Sequence, residues 1–239
     1  PCSKVPSFDS HGNRSTLATM KFAFCNEMFG DDWPFEKAFA LAKEIGYIGV
    51  ELAPFTMAPD AYLISEAQCA ETKKIIDDLG METVGLHWLL AKTEGYYLTS
   101  PDTAVQQKTG EYFIQLAKTC ERLGGDIMVL GSPPQRNLLP GVSHDQAMEY
   151  AAKTLKIAES AFRDCGVTVA LEPLGPGEGD FLNTAELGIE LAQMIDSPNV
   201  KLHLDVKAMS TEAKPIDQVI RDSAELSLIH ISEPTRPMN

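Results

Sequence analysis

The chain has 239 residues, enough for one large domain or two small ones, and 44% of them are hydrophobic and 23% charged, the balance of a globular protein. Its formal net charge of −14 argues against a surface built to neutralise phosphates, so nucleic acid and anionic membranes are poor partners, whereas neutral sugars or metal-bound substrates are compatible. No apolar run reaches the roughly 18 residues that cross a bilayer, and the polar start Pro1–Thr19 does not resemble a signal peptide.

Pro1–Thr19 shows no periodicity and reads as a disordered or non-native leader, with Met20 a natural start. From Lys21 onward, strand and helix signals alternate. The strand segments are Lys21–Cys25, Tyr47–Leu52, Glu82–His87, Asp126–Leu130, Val167–Glu172, Val200–Asp205 and Leu226–Ile231, short and apolar as buried parallel strands are. Between them, Ser65 with Gln68 and Ser143 with Gln146 fit capping boxes, and Asn183 with Glu186 is a looser one. Apolar residues recur at helical spacing at Tyr112, Leu116, Cys120 and Leu123, and again at Leu187, Leu191 and Ile195. Gly80, Gly124 and Gly166 follow helix ends.

This alternation predicts an α/β fold of the (β/α)8 TIM-barrel type, truncated after about seven strands, in one domain over 20–231 with a short tail at 232–239. The five cysteines are odd in number and lack CxxC spacing, so free thiols in a reducing cytoplasm are expected. Cys69 and Cys120 should face the core. Cys25 ends a strand and is a candidate to line a site. His11 and His144 read as surface residues.

In a barrel the chemistry sits at the C-terminal ends of the strands. Three late strands end in Glu172, Asp205 and His230, a set of oxygen and nitrogen donors suited to a divalent metal. Alternation puts His203 on the face of Asp205, and Ala170 and Thr168 on the face of Glu172. Earlier strand ends add Asn26 and Glu27, Glu51, and His87 followed by Trp88, a pair suited to a sugar hydroxyl and a sugar face. The loop after the fourth strand carries Arg136, a candidate for an anionic group.

The stretches Leu171-Glu172-Pro173-Leu174, Asn183-Thr184-Ala185, Ser197-Pro198-Asn199-Val200 and Leu204-Asp205-Val206 resemble the xylose isomerase-like superfamily of sugar isomerases and epimerases. By motif order the ketose 3-epimerase group is most similar, over roughly Met20–Ile231. The resemblance implies a divalent cation, most often Mn2+ with Mg2+, Co2+ or Zn2+ as alternatives, held by a Glu, Asp, His, Glu set. It makes Glu172 the first ligand and an acid/base, Asp205 the second ligand and His230 the third. Glu178 then matches a glutamate that hydrogen-bonds the sugar, and Arg236 matches a substrate-binding arginine. The resemblance departs at Ala208, where such epimerases often carry a histidine, with Lys207 beside it as a candidate substrate contact. The family's last glutamate, a fourth ligand and second acid/base, has no counterpart, so weak or absent activity is expected of this 239-residue form.

The reading implied is a metal-dependent sugar or sugar phosphate isomerase or epimerase acting by proton abstraction next to a carbonyl through an enediolate. Its partner is a small-molecule sugar, with no nucleic acid, no membrane, and a homo-oligomer left open. The alternatives are a degenerate, non-catalytic sugar-binding barrel, or a DNA-repair enzyme like the apurinic endonucleases of the same superfamily. The latter need more histidines than this chain has.

Overall fold

The computed structural model describes residues 21–30 and 33–228. Among the described residues, seven strands form one sheet: β1 Ala23–Cys25, β2 Gly49–Leu52, β3 Glu82–Leu86, β4 Ile127–Leu130, β5 Thr168–Leu171, β6 Val200–His203 and β7 Ser227–Leu228. Every neighbouring pair is parallel, and the strands lie side by side in chain order. Parallel neighbours need a long crossover. Here it is helical: α1 Phe35–Ile45, α2 Glu66–Asp78, α3 Thr103–Leu123, α4 His144–Asp164 and α5 Ala185–Ile195, then the short α6 Val206–Met209 and α7 Ile216–Ser223. Each strand falls inside the segment expected of it. The expected leader 1–19, the tail 232–239, and His11, His230 and Arg236 lie outside the described residues.

The pairing register sorts the sheet into two faces. Phe24 pairs with Val50, Leu52 with Leu86, Leu86 with Met128, Leu130 with Leu171 and Leu171 with Leu202. All of these are at most 8% exposed. They meet the apolar stripes of the helices, including Tyr112, Leu116, Cys120 and Leu123 of α3, each buried. A fully buried Leu or Phe contributes about 1.5–3 kcal/mol, so this interface carries most of the fold. The opposite face bears small residues low on the strands (Ala23, Gly49, Gly85, Ala170) and polar ones at their C-terminal ends. One irregularity, between Val50 and Glu51, shifts the β2–β3 register.

The helix signals hold with two corrections. Ser143 and Gln146 form a complete capping box, but at Ser65 only the serine half forms, because the Gln68 amide donates to the Met57 carbonyl instead. The cap of α5 is Thr184, whose hydroxyl accepts from Leu187 N–H. Asn183 is not the cap, because its amide is committed to the carbonyls of Leu174 and Gly179, which tie down the loop after β5. Gly80, Gly124 and Gly166 all take positive φ after their helices (60°, 83° and 65°). Cys69 and Cys120 are buried as expected, and the four described cysteines are free thiols. His144 is half-buried rather than a surface residue, its ring 5.6 Å from that of Phe181. Among the described residues no helix is long and apolar enough to cross a membrane.

Candidate active site

The polar face converges at the strand ends. Because Leu130 pairs with Leu171 and Leu171 with Leu202, the next residues in register are Gly131, Glu172 and His203, side by side on one face. Asp205 lies two residues beyond His203 and shares its face. His203 Nε2 accordingly stands 3.6 Å from Glu172 Oε1. Gly131 is required by this neighbour, since a methyl group there would come within 1.9 Å of Glu172 Oε2. The missing side chain is the space the carboxylate occupies.

Burial pushes the Glu172 carboxyl up to about 7. The Arg136 charge opposes the shift, the nearby Asp205 carboxylate reinforces it, and the charges of His87 and Glu51 reach the same group. Arg136 is not a surface-loop cation but 2% exposed, with Nη1 donating to the Leu130 carbonyl at 3.1 Å and Nη2 buried without a hydrogen-bond partner. Burial lowers its affinity for a proton to about 10, which leaves it cationic at neutral pH beside Glu172. Its position makes it an electrostatic partner of that carboxylate.

Asp205 is held by its own helix: it caps α6, its Oδ1 accepting from Lys207 N–H at 2.9 Å. Lys207 Nζ reaches back 2.8 Å to Glu178 Oε1, so two of the candidate sugar contacts join each other and link the loop after β5 to α6. Lys207 is about half exposed, and Ala208 is buried. Trp88, just past β3, is 42% exposed and has φ +54°. A bulky residue in that region costs about 1–2 kcal/mol, and such strain persists where the surroundings impose it.

A third group lines the β1–β3 side. Cys25 pairs with Glu51 in the sheet, and His87 lies two residues beyond Gly85, the β3 partner of Glu51. One donor atom each of Cys25, Glu51 and His87 lies within 4.8 Å of the others. His87 is 6% exposed, and its Nε2 is 2.9 Å from Glu27 Oε2. Burial disfavours the charged imidazole, but Cys25 and Glu27 outweigh it and push its pKa up to about 10. Asn26, buried beside them, accepts from Ala53 N–H and donates to Thr56 Oγ1, which locks the end of β1 to the end of β2.

Glu172 and Asp205 together fit a divalent cation. Both come from the ends of adjacent strands, and burial, reinforced by the Asp205 charge, raises the Glu172 carboxyl to about 7. Sequence reasoning overlooked Gly131, which is visible only once the register is known. It also left His203 without a role, although alternation put it beside Asp205. Cys25, Glu51 and His87 were legible as strand-end residues but not as a cluster.

Parallel strands in chain order, joined by helical crossovers, have the architecture of an α/β barrel. A family model described as "Xylose isomerase-like TIM barrel" matches residues 39–238, and the chain belongs to that family. It is 23% identical over 226 residues to the D-psicose 3-epimerase of Ruminiclostridium cellulolyticum, covering 91% of this chain and 73% of that one. The crystal structure of D-psicose 3-epimerase with D-tagatose from Clostridium cellulolyticum H10 superposes with a TM-score of 0.74 at 19% identity, over 89% of this chain and 72% of the other. The apo 3-keto-D-glucoside 4-epimerase of E. coli gives 0.73 at 20% identity, over 90% and 79%. A probable ketose 3-epimerase of Synechocystis, 26% identical over 82% of this chain, is spanned over only 64% of its own length.

Proposed function

We propose that the chain is a metal-dependent sugar isomerase or epimerase that removes a proton from the carbon beside a sugar carbonyl. The observation that carries this reading is Glu172, a buried carboxyl poised near neutrality beside Asp205 and Arg136 at the mouth of a barrel of this family. Relatives named for ketose 3-epimerisation support the substrate class.

Glu172, Asp205 and His230 would hold the metal, with Mn2+ the expected ion. When bound, the metal supplies Lewis-acid polarisation of the carbonyl and the neighbouring hydroxyl. Glu172 acts as acid/base, holding and moving the proton at its carboxylate. Arg136 keeps a fraction of it ionised. An enediolate is the product of proton removal. Return of the proton to the other face epimerises the sugar, and return to the adjacent carbon isomerises it. Trp88 offers an exposed aromatic face to the ring, and Glu178, Lys207 and Arg236 offer polar contacts to hydroxyls or a phosphate. His87, too buried to meet bulk solvent, acts from beneath the site. Free thiols at the four described cysteines fit a reducing compartment such as the cytoplasm.

The test is conversion of a panel of ketoses and ketose phosphates with Mn2+ present, following products by chromatography. We expect weak turnover of at least one member, lost in Glu172→Gln. Sugar binding without conversion anywhere in the panel would favour the non-catalytic sugar-binding barrel. The apurinic-endonuclease reading is opposed by the −14 charge and by Ala208.

A further inference from the structure

The β1–β3 side of the mouth holds a donor set of a different kind from Glu172 and Asp205. It combines a thiol, an imidazole and a carboxylate at the ends of three successive strands. We propose that Cys25, Glu51 and His87 form a second metal site, suited to zinc, that does not depend on the first.

Three observations carry it. The donor atoms of the three side chains lie within 4.8 Å of one another, with Cys25 Sγ 4.0 Å from Glu51 Oε2, so modest rotations bring all three onto one ion. The residues are enclosed: Glu51 is 7% and His87 6% exposed, and Cys25 is half-buried. Glu27 Oε2, itself buried, lies 2.9 Å from His87 Nε2 and pairs with it. Glu27 also supplies the carboxylate that regularly accompanies and orients a metal-bound histidine. The backbone is fixed for the purpose, because Asn26 bolts the β1 end to the segment after β2. Sulfur with imidazole selects zinc over the harder manganese expected at Glu172 and Asp205, and with three protein donors a position stays open for water or a sugar oxygen.

Co2+ is the probe, since thiolate ligation gives it a near-ultraviolet charge-transfer band that oxygen and nitrogen ligands do not. Titrating the whole chain with Co2+ should raise this band to one equivalent. The band should persist in the Glu172→Gln/Asp205→Asn double variant, disappear in Cys25→Ser and shrink in His87→Ala. Zn2+ should displace the cobalt, and Cys25→Ser should weaken Zn2+ binding by at least the roughly 10- to 100-fold lost when an outer partner of a metal is removed. If a variant fails to fold, zinc-edge X-ray absorption on the unaltered chain decides, with one sulfur at about 2.3 Å among lighter ligands expected. No sulfur ligation there, or a cobalt band that survives Cys25→Ser, overturns the proposal. Loss of the band in the double variant would show a single shared site and overturn it as well. None of these readouts requires turnover, so failure of the epimerase reading leaves the test intact.

Discussion

Glu172 shows how a functional residue works against the fold that carries it. Its pKa is raised from 4.5 to about 7, so the folded chain keeps a proton that the unfolded chain releases in that interval. Without metal, stability therefore falls as pH rises from 4.5 to about 7, by something on the order of 3 kcal/mol. Glu172→Gln removes the penalty. In the presence of a chelator, urea denaturation should find the variant more stable than the parent above pH 7 and nearly equal to it below 4.5. Equal stabilities across the whole range would contradict this account of the carboxyl. Gly131→Ala tests the same group from the other side. Its methyl must displace a carboxylate oxygen 1.9 Å away, and Mn2+ affinity by calorimetry should drop roughly 10- to 100-fold while circular dichroism stays unchanged. Trp88→Gly relieves a left-handed backbone, so thermal stability should change by no more than about 1 kcal/mol even as sugar affinity falls.

At the scale of elements, strand ends were legible because buried parallel strands are continuous apolar runs, and the first polar residue after each run marks the mouth. That logic found Glu172 and Asp205, and it also named Cys25, Glu51 and His87. It could not say that the last three meet, because the meeting depends on register and on the irregularity after Val50. The α5 cap was misread for a local reason. Asn183 and Thr184 are both good caps, and only the loop contacts of Asn183 decide between them. Thr184→Ala should cost about 1 kcal/mol of unfolding free energy as a lost cap. Asn183→Ala should instead loosen the loop carrying Glu178, visible as faster amide exchange between β5 and α5. A tighter constraint sits where β3 meets β4. A methyl on Gly85 would fall 1.8 Å from the Ile127 carbonyl oxygen, so Gly85→Ala should destabilise the sheet by roughly 1–3 kcal/mol or more in denaturant melts.

For the whole molecule, one side of the sheet is spent on the apolar interface with the helices, which leaves the other free to carry a polar mouth. Glu172 is linked electrostatically to Arg136, Asp205, His87 and Glu51, so the β1–β3 and β5–β6 sides form one charged layer. Within it, Arg136 and His87 are buried cations that let several carboxylates coexist. The net charge of −14 disfavours binding to phosphates: duplex DNA at physiological salt should leave no fluorescence-anisotropy signal with this protein. The central claim is proton abstraction beside a sugar carbonyl by Glu172, and solvent exchange reads that step directly. With Mn2+ and a ketose in deuterated water, proton NMR should show loss of the signal from the carbon next to the carbonyl, faster than the uncatalysed rate and abolished in Glu172→Gln. Exchange at an unchanged rate in Glu172→Gln, or none above background with any ketose or ketose phosphate, would contradict it.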